Sequence, residues 1–466
     1  MTQAIDFDVV VLGGGSAGFA AARTALAAGL KVSVVEGGPD LGGLCILRGC
    51  MPTKTLLQAA EVRHLAQHAG TWGIRVPRAD FDWPAILGRK DALVRGWAAY
   101  RREQLEQGQF NLMRASARFV DPHRVALSNG QTLAARHFVI ATGSQASPPP
   151  LPDLEAAGFL TSDEALSLER LPRTIIVLGG GPVALELAQF FARLDVAVTV
   201  VQRSQRLLSG LDDDAARVLE AALRREGLRL FTGTRLLGAA KDSAGKTVRF
   251  EHAGRVETVV AEDILLALGR SPNTAALDLD RAGVRTEKGR ILANAEQQTS
   301  APHIYAAGDC CGPHDIVHLA VQQGEVAGHN LAHPDHPRRM DDRLLVRVVF
   351  TDPQVAAVGL TEKEARAAAR DFRTASYPFA DHGKSVILDT TDGFVKLLAD
   401  ARTGEIIGAG IAGPLGGELI HEIVAAMHGR MTVHQLAALP HYHPTLAEIW
   451  TYPAEQLANA TGDNRA

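Results

Sequence analysis

Two cysteines with four residues between them, Cys45 and Cys50, stand in the segment GGLCILRGCMPTK, residues 42–54. Thiols at that spacing can form a structural staple, half of a metal site, or a dithiol/disulfide couple. The chain has 4 cysteines in 466 residues, too few for the disulfide framework that holds small secreted domains together. The other two, Cys310 and Cys311, are adjacent and far away in sequence, so they do not supply the second CxxC of a zinc site. Both read as small buried residues. In a reducing compartment a close cysteine pair is more often catalytic or metal-binding than structural, and the elements around the pair have to decide its use.

Bulk properties narrow the partners. The formal net charge is -4, with 46% apolar and 21% charged residues, which gives no reason to expect nucleic acid or an anionic membrane as a partner. No apolar run reaches membrane-spanning length. The opening MTQAIDFDVVVLGGG enters a strand pattern at once, without a basic leader, so a cytoplasmic enzyme is expected.

Residues 8–36, DVVVLGGGSAGFAAARTALAAGLKVSVVE, place an apolar strand before Gly13-x-Gly15-x-x-Gly18, then an Ala-rich helix and a second β-branched strand ending at Glu36. The first glycine makes a tight turn, the second lets backbone approach a pyrophosphate, and the third lets helix and strand pack closely. The helix N-terminus favours the phosphates, and Glu36 is placed to accept ribose hydroxyls. The unit recurs over residues 174–204 as Gly179-x-Gly181-x-x-Ala184, ending at Gln202 and Arg203. Two fingerprints imply two dinucleotides. The first carries a ribose-binding acid, the second an amide beside a cation.

The punctuation fits an α/β chain with two Rossmann-type dinucleotide-binding domains followed by an α+β domain. The divisions expected are 1–150 and 151–272, a return segment 273–338 to the first domain, and 339–466. The proline-rich stretch 147–152 is read as a stiff loop, HPDHPRRMDDR (333–343) as a hinge, and Thr361-x-x-Glu364 as a helix-capping box.

With these elements in place the chain resembles the class I pyridine nucleotide-disulfide oxidoreductases, in particular their dihydrolipoamide dehydrogenase-like branch. The resemblance spans essentially the whole chain. It rests on the segment from Gly42 to Lys54, on Ala141-Thr142-Gly143, LLALGRSPN (265–273), IYAAGD (304–309) and HPTLAE (443–448), all in family order. It implies that the first domain binds FAD, the second NADPH or NADH, and that the last is a dimerisation domain. Cys45 and Cys50 are then the redox couple. A helix beginning near Cys50 would favour its thiolate on the flavin side, leaving Cys45 to attack substrate. Lys54 is expected near the flavin, paired with Glu186. His443 and Glu448 supply the acid–base group and its orienting carboxylate, reaching the other subunit of a homodimer. Asp309 is expected to hold the ribityl chain, Ala117 to meet the adenine, Thr142 and Gly143 to line the flavin site, and Gly269 to approach the nicotinamide nucleotide.

Three departures stand out: Ile46-Leu47-Arg48 lacks the Asn-Val common between such cysteines, Gln202 replaces the Glu of NAD-using members, and Pro182 stands where some members carry an aromatic gate. No cysteine follows Cys311, so the C-terminal cysteine pair of mercuric and large thioredoxin reductases is missing. The function implied is electron exchange between NAD(P)H, flavin, the Cys45–Cys50 disulfide and a small-molecule disulfide. Alternatives are an NADPH-dependent reductase of a small thiol disulfide or of another acceptor such as a quinone, and a non-catalytic flavin-binding regulatory or electron-transfer protein.

Overall fold

A computed structural model describes residues 5–106, 108 and 110–460. The chain divides into two compact units. The first comprises the residues up to Thr55, Pro84–Pro148 and Gly269–Met340; the second comprises Leu56–Trp83, Pro149–Leu268 and the residues from Asp341 on.

The first unit begins with β1 (Phe7–Leu12), α1 (Ser16–Ala27) and β2 (Val32–Val35). Strands β1 and β2 run parallel with Val9 opposite Val32 and Leu12 opposite Val35. On its other side β1 pairs in parallel with Thr132–Ile140, which in turn pairs with Ile304–Ala306. A strand enclosed on both faces has no polar side to present, which is why the valines of β1 run consecutively. Val9, Val10 and Val11 are fully buried, and the Phe119 and Phe138 rings meet edge-on at 5.1 Å in the core beneath the sheet. Each such side chain contributes about 1.5–3 kcal/mol of burial free energy. The short helix α2 (Gly43–Leu47) and the long helix α3 (Cys50–His68) follow.

The second unit repeats the parallel arrangement, with strands ordered Arg229–Phe231, Ala197–Val201, Thr174–Leu178, Asp263–Leu266. An antiparallel meander over 235–261 packs Val248 and Phe250 into the same core as Ile176 and Leu178. Beyond residue 345 an antiparallel five-stranded sheet takes the order Val346–Val349, Gln354–Gly359, Ile406–Gly413, Phe394–Asp400, Phe372–Pro378. Helices Gly416–His428 and Thr451–Ala460 cover it through Ile420, Ile423, Ala454 and Leu457. Thr361 and Glu364 do form the capping box at the start of Glu362–Ala367. No helix among the described residues is long and apolar enough to cross a membrane.

Candidate functional site

In the first unit the turn between β1 and α1 is held by sterics. Gly13 adopts φ +108° with the Ala141 carbonyl directly against it, and Gly18 packs on the Gly13 carbonyl, so a Cβ at either would overlap backbone. Gly15 is the N-cap of α1 and brings no side-chain cap, which leaves the first-turn N–H groups directed outward for an anionic ligand. Glu36 accepts the Gly14 amide at 2.7 Å and the Gly38 amide at 2.6 Å, one on each oxygen. These bonds fix the carboxylate at the end of β2 and leave it acceptor capacity for a ribose diol.

A buried atom marks where a ligand fits. Thr142 Oγ1 is buried and has no hydrogen-bond partner among the described residues. An unsatisfied buried hydroxyl costs about 1–3 kcal/mol, so this one points to a polar group the polypeptide does not supply. Next to it Gly143 stands at φ +68°, its carbonyl accepting the Asn273 amide at 2.9 Å. Asp309 Oδ2 accepts from Ser144 Oγ at 2.5 Å, and Arg270 Nε donates to the same Ser144 hydroxyl at 2.8 Å. Burial pushes the Asp309 carboxyl above its ordinary value, while the Ser144 bond works against that. Ala117 opens the strand Ala117–Asp121, half-buried. Glycine turn, capless helix start, terminal acid and orphaned hydroxyl together fit FAD.

Cys45 lies on α2 and Cys50 is the first residue of α3; both are half-buried thiols. The Cys45 thiol hydrogen-bonds to Cys50, and that bond together with burial drives its pKa far above the ordinary thiol value. Burial and the neighbouring Cys50 thiol thus both work against a Cys45 thiolate, while the Cys50 backbone N–H works for it. The helix start at Cys50 supplies a partial positive charge that favours a thiolate there. Lys54 follows one turn later on α3 and lowers the Cys45 pKa, a smaller effect than the other two. Arg101, which the sequence did not single out, lies over the Phe19 ring at 4.1 Å and is a further cation felt by Cys45. Cys310 is fully buried, its thiol directed at the Ile140 carbonyl at 3.2 Å, and Cys311 donates to the Gly308 carbonyl at 3.2 Å.

In the second unit Gly179 repeats the Gly13 geometry, at φ +124° against the Ala267 carbonyl. Ala184 in the third position is buried behind it. Gly181 caps the helix Pro182–Arg193, and a Cβ there would meet no described atom within 4 Å, so the helix start is open to a second dinucleotide. Gln202 is half-buried beside Gly180, while Arg203 is exposed. Arg206 is drawn to Glu220 at 3.7 Å. Glu186, buried on the same helix, accepts the Phe350 amide at 3.0 Å. Gly269, assigned to the first unit, has φ +113° and accepts the Ser147 amide at 3.0 Å.

The C-terminal pair is also in the second unit. His443 Nδ1 lies 3.0 Å from Glu448 Oε2, and Glu448 is buried on the short turn Ala447–Trp450, anchored by the fully buried Ile449 and Trp450. That contact engages Nδ1 and leaves Nε2 of an exposed imidazole to take or give a proton. His441 does not share this role: its Nε2 meets Glu422 Oε1 at 2.7 Å.

The chain matches the pyridine nucleotide-disulphide oxidoreductase family over residues 7–324 and that family's dimerisation domain over residues 345–454. It belongs to this family. It is 37% identical over 456 residues to a dihydrolipoyl dehydrogenase of Thermus scotoductus, covering 97% of each chain. It is 35% identical over 418 residues to a mercuric reductase of Staphylococcus aureus, covering 89% of this chain and 75% of that one. Among solved structures it superimposes on LpdA from Mycobacterium tuberculosis with TM-score 0.86 and 29% identity, over 96% of this chain and 99% of that one. The HOCl-induced flavoprotein disulfide reductase RclA from Escherichia coli gives TM-score 0.85 and 25% identity over the same shares. The chain is thus a flavoprotein disulfide reductase of the dihydrolipoyl dehydrogenase-like family, using FAD and NAD(P)H and carrying the dimerisation domain that supports a homodimer.

Sequence reasoning missed Ser144 and Arg270, which brace Asp309, as well as Arg101 and His382. The RSPN run that holds Arg270 was the available signal for the first group. His382 stands outside every motif.

Proposed function

We propose that Cys45 and Cys50 are the dithiol that exchanges electrons with a small-molecule disulfide, with His443 as the acid–base group. The observation that supports this reading is the pairing of two half-buried thiols, Cys45 on α2 and Cys50 at the first position of α3, close enough to act on one another's ionisation. In the direction of disulfide reduction, Cys45 gives its proton to a base and its sulfur attacks one sulfur of the substrate. The first substrate thiol leaves with a proton from His443. The Cys50 thiolate then attacks the Cys45 sulfur and expels the second substrate sulfur as a thiolate, which takes a proton from solvent, so that the substrate S–S bond is broken and the Cys45–Cys50 S–S bond forms. When bound, FAD would supply two-electron transfer between the nicotinamide nucleotide and this dithiol. Glu36, the α1 N-terminus, Thr142 and Asp309 would hold it.

In a homodimer, the His443 serving one cysteine pair comes from the second copy. Few cysteines, with Cys310 buried as a thiol, favour work in the reducing cytoplasm. A dihydrolipoamide-like dithiol is the first substrate class proposed. Gln202 and the exposed Arg203 favour a second reading, an NADPH-driven reductase of a small thiol disulfide. A panel of lipoamide, glutathione disulfide and quinones, each with NADH and NADPH, separates these readings. Quinone turnover that survives Cys45→Ser, without disulfide turnover in the wild type, would overturn both.

A further inference from the structure

Glu448 stands between two imidazoles. Oε2 faces His443 Nδ1 at 3.0 Å, and Oε1 faces His382 Nε2 at 3.3 Å. The two histidines sit in opposite surroundings: the His443 side chain is 78% exposed and that of His382 0%. His382 precedes the short helix Gly383–Ile387, with its Nδ1 2.9 Å from the hydroxyl of the equally buried Ser385. The Tyr452 ring closes over it edge-on at 6.2 Å and is itself stacked on Tyr377 at 4.0 Å.

Electrostatics chooses the tautomer. If the Ser385 hydroxyl donates to Nδ1, the His382 proton is on Nε2 and points at Glu448. The reverse tautomer would aim a lone pair at a carboxylate in a site with little solvent to screen it. The 3.3 Å Nε2–Oε1 contact is close but lacks hydrogen-bond alignment. A hydrogen bond there would form if the His443 ring turned from Glu448 towards substrate.

We propose that His382 is a positioning residue for the acid–base pair, a neutral buried donor that holds the Glu448 carboxylate aimed at His443. The inference rests on His443 being the acid–base group. The charged or titratable groups facing His382 are Glu448, His443 and Tyr452, with the Ser385 hydroxyl completing the set. Burial holds the His382 pKa below the ordinary imidazole value, with Glu448 opposing and His443 reinforcing the shift. A lysine or arginine at this place would cancel the Glu448 charge and weaken its hold on His443. A neutral donor leaves that charge intact.

The test is the pH profile of dithiol–disulfide exchange, measured by stopped flow on the FAD-loaded dimer. Without the Nε2 donor, the state with neutral His443 and ionised Glu448 is destabilised. The limb assigned to His443 should therefore move up by about one pH unit in His382→Phe, the scale of one lost hydrogen bond to a charged group. In His382→Gln the amide N–H can occupy the Nε2 position, and the limb should return towards wild type. If His382→Phe does not yield a flavin-loaded dimer, His382→Asn takes its place, since its shorter amide reaches Ser385 but not Glu448. An unmoved limb in a well-folded His382→Phe or His382→Asn, or a Gln variant displaced as far as these, overturns the inference. His443→Ala in the same assay tests the reading beneath it. Unchanged exchange there removes the acid–base assignment itself, whereas slowed exchange with an unmoved His382→Phe limb removes only the role of His382.

Discussion

The His443 imidazole is set on the Glu448 carboxylate at 3.0 Å, the former side chain 78% exposed and the latter 10%. A buried carboxylate behind an exposed imidazole engages Nδ1 and fixes which ring nitrogen meets solvent. That is the arrangement a proton donor to a departing thiol requires.

His443→Ala should slow dithiol–disulfide exchange by about 10²-fold or more, the usual scale of lost acid–base catalysis. The check is single-turnover kinetics with the dithiol substrate. A hybrid dimer of His443→Ala and Cys45→Ser copies should regain one intact site of two if the sites are shared between copies. Activity no higher than in the two parent dimers would place each site within one chain.

The two cysteines should fall into different classes when replaced. Cys45→Ser should abolish disulfide turnover yet retain a Cys50 thiolate, visible as long-wavelength absorbance against bound flavin. Cys50→Ser should lose both, because the thiol at the start of α3 is then gone and Cys45 has lost its partner. Absorbance retained in Cys50→Ser and lost in Cys45→Ser would reverse the roles.

What the sequence revealed and what it hid follow from the range of each constraint. The turns at Gly13 and Gly179 are dictated by atoms within one βαβ unit, so a pattern of spacings exposes them. The capping box at Thr361 and Glu364 is local in the same way. His382 and Glu448 are brought together by the folding of the antiparallel domain, 66 positions apart in the chain, and no local pattern marks such a pair. Ser144 and Asp309 meet for the same reason, through the pairing of Thr132–Ile140 with Ile304–Ala306. Arg206 illustrates the converse. Its type and its place just past the strand Ala197–Val201 suit a phosphate ligand, but Glu220 on the following helix, 3.7 Å away, competes for it.

Glu364 makes stability depend on pH in a stated direction. Burial opposes its ionisation, but Arg347 grips it with two bonds of 3.0 and 3.1 Å and Thr361 donates from its amide, which together hold it down at about 2 against an ordinary 4.5. A folded-state pKa below the unfolded one means a contribution present above the unfolded value and lost as pH falls through the folded one. Glu364→Gln should therefore melt below wild type at neutral pH, and the gap should narrow as pH drops from 4.5 towards 2. Scanning calorimetry across that range provides the measurement. A gap independent of pH would show that the carboxylate is held by shape alone.

Coenzyme choice turns on the end of the strand Ala197–Val201. A carboxylate at position 202 would bind the ribose diol of NADH and repel the 2′-phosphate of NADPH; Gln202 can hydrogen-bond the ribose but adds no negative charge. Arg203 is exposed and available to the phosphate for charge-assisted hydrogen bonds, whereas Arg206 already has Glu220 at 3.7 Å. The expected outcome is a preference for NADPH with NADH tolerated. Gln202→Glu should shift it towards NADH, and Arg203→Ala should reduce kcat/KM for NADPH more than Arg206→Ala does. Steady-state kcat/KM with both coenzymes decides the matter. A wild-type preference for NADH of about tenfold or more, which corresponds to ~1.4 kcal/mol in the transition state, would sink the assignment and strengthen the dihydrolipoamide reading.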